Sequence, residues 1–272
     1  MNTHTSLKTL LIIGLGLLMN VSHASDTAKE KRWADQVADS IMVGDVEWLN
    51  VGKSKIFSIY TENTTEKAIG GAIILHGSGV HPNWDQVVRP LRSQLPDYGW
   101  STLSLQLPVL NNEAEYKEYI PLFKEVAPRI NAGIKYLKSK GINNIVIVAH
   151  SLGSGMAGYY MSQKPDSSIQ ALVAVGVSGV MYDEDDKVGY LNALKNIKVP
   201  VLDIFGSNDL PTVLKGEKAK ADTARKAGNK NYTQVKVAGA NHFFDNKEEI
   251  LVKRVRGWLA KNATGTELNV NK

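Results

Sequence analysis

The sequence predicts an α/β fold with a mostly parallel eight-stranded sheet, helices on both faces and no large lid domain. Three observations carry this. Short apolar runs rich in β-branched residues recur from Ile69 to Val237, and helical stretches lie between most of them. The runs are near-continuous in hydrophobicity instead of alternating, the signature of strands buried on both faces. Only the leading segments alternate, which marks them as an antiparallel hairpin at one edge.

In chain order, a polar helical stretch spans about Asp26 to Ile41. The hairpin follows, with Val46 to Val51 and Lys55 to Thr61 flanking Gly52-Lys53. The buried strands are expected at Ile69–Leu75, Ser101–Leu107, Asn144–Ala149, Gln170–Val177, Val199–Phe205 and Thr233–Val237. Helices are expected at Trp84–Leu95, Glu115–Lys140, Leu152–Gln163, Lys187–Lys195, Val213–Ala227 and Lys247–Lys261. Pro121 and Pro128 should kink or divide the long one, because proline lacks the N–H a helix interior needs. Lys215 to Lys230 alternates Lys with Glu and Asp and reads as a solvent-facing surface. The short connection between the strands ending at Val177 and starting at Val199 leaves no room for an inserted lid.

Composition narrows the chemistry. The 272 residues are 43% hydrophobic and 22% charged, with no cysteine and a formal net charge of +5. Such a chain is neither disordered nor fibrous. Without cysteine there is no disulfide framework, thiolate metal site or thiol nucleophile. The N-terminus reads as an export leader, with Lys8 before the apolar run Leu10 to Met19 and Ser22-His23-Ala24 offering small residues at a cleavage site. That run is too short to cross a bilayer as a helix. An uncleaved anchor is the alternative. Lys8 is the only charged residue in the leader, so the processed chain stays mildly basic, with no argument for nucleic acid. The expected division is a leader at 1–24, a helical segment at 25–44, one domain at 45–262 and a polar tail at 263–272. The expected location is the periplasm or the exterior, with no stable membrane anchor after cleavage.

The strand Asn144–Ala149 runs through His150-Ser151-Leu152-Gly153 directly into a helix. A strand-to-helix turn this sharp demands small neighbours, here Ala149 and Gly153, and exposes the Ser151 hydroxyl above the sheet. Ser151 is therefore the candidate nucleophile; the alternative is a serine that only caps the helix. His242, after the last strand, is the candidate base, and Asp209, after Phe205-Gly206-Ser207-Asn208, the candidate acid that orients it. Asp209 could instead serve as a helix cap, and Asp183 and Asp185 are a second choice of acid. The glycine-rich turn His76-Gly77-Ser78-Gly79 offers the Ser78 N–H as an oxyanion donor beside that of Leu152. His76, His81 and Trp84 are candidates to line the substrate surface. Asp183-Glu184-Asp185-Asp186 lacks the spacing of a calcium loop and reads as solvated. No metal site or nucleotide loop is evident.

Leu75-His76-Gly77-Ser78-Gly79, Ala149-His150-Ser151-Leu152-Gly153, Asp209 and His242, in this order, resemble the α/β-hydrolase superfamily over roughly residues 45 to 262. His76 to Trp84 and Gly99-Trp100-Ser101-Thr102-Leu103 more narrowly resemble a bacterial exported family of unknown function, itself similar to α/β-hydrolases. The resemblance implies the fold and a hydrolase activity, and no substrate follows from it. The leading expectation from the residues is a cofactor-free serine hydrolase acting on an ester, less readily an amide, of a small molecule or envelope polymer. The competing expectation is a non-catalytic binding or assembly protein that retains the fold.

Overall fold

The computed structural model describes residues 24–163, 165–180 and 187–264. The expected leader up to His23, the alternative acids Asp183 and Asp185 and most of the expected polar tail lie outside the described residues.

Eight strands form one sheet: β1 (Asp45–Val51), β2 (Ser54–Thr61), β3 (Gly70–Leu75), β4 (Trp100–Leu105), β5 (Ile145–His150), β6 (Ile169–Val175), β7 (Val201–Asn208) and β8 (Tyr232–Asn241). Their spatial order is β1-β2-β4-β3-β5-β6-β7-β8. The β1–β2 hairpin joins the rest antiparallel through β4, and every other pairing is parallel. The apolar runs are continuous because each strand feeds two cores. Ile73, Leu75, Ile145 and Ile147 face α3 (Phe123–Ser139) and α4 (Leu152–Ser162). Ala72, Ile74, Val146 and Val148 face α2 (Val88–Gln94) and α8 (Glu248–Asn262). The first helix, α1 (Thr27–Ala38), lays Ala34 and Val37 over Phe57 and Ile59 of β2.

As expected, the long helical stretch divides at Pro121: a 3-10 turn spans Tyr116–Leu122 and α3 begins at Phe123. Three other local expectations change. Pro128 does not divide α3, whose apolar stripe Val126, Ile130, Ile134 and Leu137 holds it against the sheet despite the missing hydrogen bond. The stretch 213–227 is two helices, α6 (Pro211–Lys215) and α7 (Glu217–Lys226), which follow α5 (Tyr190–Leu194). The break is at Gly216, where an added Cβ would lie 2.6 Å from Gly179 Cα. Nor is this stretch wholly a solvent face. Lys220 and Ala224, one helical turn apart, both point inward and are fully buried.

Candidate active site

The sharp turn between β5 and α4 is the centre of the site. Ser151 has φ 54° and ψ −123°, a conformation a non-glycine residue adopts only when its surroundings impose it. Two close approaches impose it here. An added Cβ on Gly153 would lie 2.2 Å from the His76 carbonyl oxygen, and one on Gly77 would lie 3.2 Å from Ser151 Cβ. The β5–α4 turn and the loop after β3 are thus pressed together. The Ser151 N–H donates to Val175 O at 2.8 Å, and Ser154 Oγ donates to Ala149 O at 2.7 Å, which ties the turn to β6 and back onto itself. Ala149, where a glycine suits such a turn, fits its methyl into the buried core.

The ends of β7 and β8 bring Asp209 and His242 to this turn. His242 Nε2 lies 2.9 Å from Ser151 Oγ, and its Nδ1 lies 2.6 Å from Asp209 Oδ1. An ionised carboxylate can only accept, so Nδ1 carries the proton and Nε2 is left to accept from the serine hydroxyl. Burial works to raise the Asp209 pKa. Hydrogen bonds from His242 and from the N–H groups of Gly206 and Leu210 outweigh it, holding the carboxyl below its ordinary value. Gly176, at φ 60°, backs the imidazole so closely that an added Cβ would lie 3.0 Å from His242 Nδ1. Asn241 fixes the next turn by accepting from the N–H groups of Phe243 and Asp245.

His150 supports the ring from behind. It donates from Nε2 to the His242 carbonyl at 3.0 Å, with the two rings 4.9 Å apart. Burial lowers its pKa to about 3, so it sits neutral beside the His242 ring.

A narrow cavity opens at Ser151 and His242. Its walls are mainly apolar: Leu152 and Gly155 of α4, Val177 and Val188, Tyr190 of α5, and Leu210 and Val213 around the start of α6. Tyr116 closes one side, and its hydroxyl lies 3.4 Å from Ser78 Oγ. Leu152 occupies the first position of α4, where the N–H has no intrahelical acceptor.

Three residues expected at the substrate surface stand elsewhere, for none of them lines this cavity. His76 is fully buried; its Nδ1 donates to Gly77 O and its Nε2 accepts from Leu107 N–H, clipping the loops after β3 and β4 together. Burial lowers its pKa to about 3. His81 is packed edge-on between Trp33 and Trp84. Trp84 donates to Gln86, which in turn donates to Asp245 on the loop after His242. Tyr116, Tyr190 and Leu210 were not foreseen, because a wall assembled from three separate connections leaves no local pattern. Among the described residues no group of three or more metal-ligating side chains converges.

The family described as "protein of unknown function (DUF3530)" matches residues 23–120 and 118–261. The chain belongs to that family. No functionally curated protein matches this DUF3530 chain. Solved structures do. Est1E from Butyrivibrio proteoclasticus with ferulic acid bound shares 15% identity at a TM-score of 0.65, over 79% of this chain and 98% of that one. The esterase Pf2001 from Pyrococcus furiosus shares 17% identity at a TM-score of 0.63, over 81% and 93%. A putative dienelactone hydrolase from Klebsiella pneumoniae shares 14% identity at a TM-score of 0.64, over 79% and 98%. At these identities the likeness establishes the fold, which is that of the α/β-hydrolases.

Proposed function

We propose that this protein is a serine hydrolase of the cell envelope that cleaves a carboxylic ester, and less readily an amide, through Ser151, His242 and Asp209. One observation carries the reading: the unbroken chain of contacts from Asp209 through His242 to the Ser151 hydroxyl, at the floor of an apolar cavity. A fold kept only for binding needs neither the strained serine nor the buried carboxylate behind the histidine.

Ser151 Oγ attacks the acyl carbon while His242 Nε2 takes its proton. Asp209 holds the imidazole in the required tautomer and stabilises the imidazolium. The N–H groups of Leu152 and Ser78 receive the oxyanion, each worth roughly two to three powers of ten in rate. Collapse of the tetrahedral species breaks the bond to the alcohol, which leaves with the proton from Nε2. Water then attacks the acyl-serine, His242 again accepting and returning the proton, and the carboxylic acid departs. The step needs no cofactor.

The narrow, mainly apolar cavity suits a short acyl group, and the esterase and hydrolase names of similar structures agree with an ester substrate. Leu210 and Phe243, each more than a third exposed at the rim, offer apolar contact to the alcohol portion. The test is hydrolysis of p-nitrophenyl esters from acetate to decanoate. The expected outcome is turnover of the short esters, decline with chain length, and none above background for Ser151→Ala. Equal rates in wild type and variant would overturn the reading.

A further inference from the structure

Ser25 is held in a way that the hydrolase reading does not use and on which this inference does not depend. The residue is 8% exposed, whereas its neighbour Ala24 is exposed. Its N–H donates to Glu125 Oε1 at 3.2 Å and its hydroxyl to Oε2 at 2.8 Å. Arg129 grips Glu30 with both terminal nitrogens, at 2.9 and 3.0 Å, and also donates to Ser25 Oγ and to Gln106 O. Its distance to Glu125 is 3.7 Å. Two carboxylates, Glu30 and Glu125, therefore share one guanidinium.

The nearby lysines of α1 are committed elsewhere, Lys29 to Leu110 O and Asn112 and Lys31 to Asp35. Arg129 supplies one positive charge for these two carboxylates, of which Glu30 is nearly buried and Glu125 about a quarter exposed. A free amine at Ser25 would supply a second. Its nitrogen already lies on Glu125, and as an ammonium it would turn a hydrogen bond to a carboxylate into an ion pair. Asp26 N–H donates to Val109 O at 2.7 Å, and the Asp26 carboxylate caps α1 through Lys29 N–H at 2.8 Å. Ser22 and Ala24 stand at the third and first positions before the Ala24–Ser25 bond, both small, as a leader-removing protease requires.

We propose that the leader is removed at the Ala24–Ser25 bond and that the ammonium so created on Ser25 pairs with Glu125, locking α1 onto the sheet. Hydrolysis by a protease of the signal-peptidase class consumes one water. The hydroxyl joins the Ala24 carbonyl carbon, and the Ser25 nitrogen leaves as an amine that takes up a proton.

The test has two readouts. The full chain, produced with its own leader in a Gram-negative host, is recovered from the periplasm and weighed intact; a chain beginning at Ser25 is expected. Proteins beginning at Ser25 and at His23 are then melted, each with and without Glu125→Gln. The Ser25 form is expected to melt about 2–4 °C higher, the shift of a single favourable contact in a domain of this size, with the gap closing in Glu125→Gln. If Glu125→Gln folds poorly, acetylation of the Ser25 amine on the wild type gives the same reading, since it must abolish the gap. A mature chain beginning at any other residue, or a gap that is absent or survives loss of either partner's charge, would overturn the proposal.

Discussion

Asp203 and Asp209 lie on one strand and its exit, six residues apart, and both are buried, yet the structure uses them in opposite ways. Asp203 sits mid-strand. It accepts from Lys220 Nζ at 3.0 Å, from the Tyr232 hydroxyl at 2.6 Å and from Gln234 at 2.9 Å, with both members of the ion pair at 0% exposure. Lys220 also donates to Val177 O, pinning the loop that walls the cavity. Every partner is fixed and none meets the cavity except through backbone. Asp209 has a single side-chain partner, a histidine whose far nitrogen reaches a serine in an open cavity. A buried carboxylate facing a permanent cation is a strut; one facing an imidazole can answer a change of charge. The histidines divide likewise. His76 and His150 are locked neutral, whereas His242 stands between an acid and a hydroxyl.

The largest way to break the comparison is at Asp209. Asp209→Asn is expected to leave the fold intact and lower kcat by roughly three to four powers of ten, because the imidazole loses its tautomer. Ester turnover beside a melting curve checks it. The mirror change belongs to the strut. Lys220→Met strands Asp203 without its cation and is expected to cost about 3–5 kcal/mol of stability. The double variant Lys220→Met/Asp203→Leu should regain much of that in a denaturant titration. A strong kcat loss in the double variant, once refolded, would mean that the strut takes part in the chemistry.

Acid should separate the histidines more gently. His76 and His150 titrate near 6.5 when unfolded and at about 3 when folded, so the unfolded chain binds more protons between those values. Their contribution to stability is complete above about pH 6.5 and declines as pH falls toward 3. By pH 5 the loss is about 2 kcal/mol for each. His150→Gln is expected to flatten that slope between pH 6.5 and 4, as read from melting midpoints. Asp209 is depressed from a carboxylate value, so it adds to the decline only below about pH 4. The smallest effect concerns the aromatic group beside the site. His81→Ala and Trp84→Ala should change kcat/KM by less than about threefold, since neither side chain lines the cavity at Ser151.

These contrasts also mark what the sequence made legible. The strands were readable because burial on both faces removes polar residues from the whole run. Ser151, Asp209 and His242 were readable because a parallel sheet delivers successive strand ends to one edge in a fixed order. Lys220 was not. Its helix looks amphipathic in the ordinary way, and only the position of Asp203 on the strand beneath shows that one lysine turns inward. His81 and Trp84 were misplaced for the converse reason. They are near the Gly77–Gly79 turn in sequence, but His81 packs edge-on between Trp33 and Trp84, and neither it nor Trp84 lines the cavity. The hydroxyl of Tyr116 reaches Ser78 across 38 positions of chain, a distance no motif spans.

The most direct measurement is intact-mass analysis of the processed chain after exposure to a fluorophosphonate, with Ser151→Ala and His242→Ala alongside. The account predicts one adduct on the wild type, mapped to Ser151, and none on either variant. A well-folded wild type that takes up no adduct, or one that labels equally without His242, would contradict it.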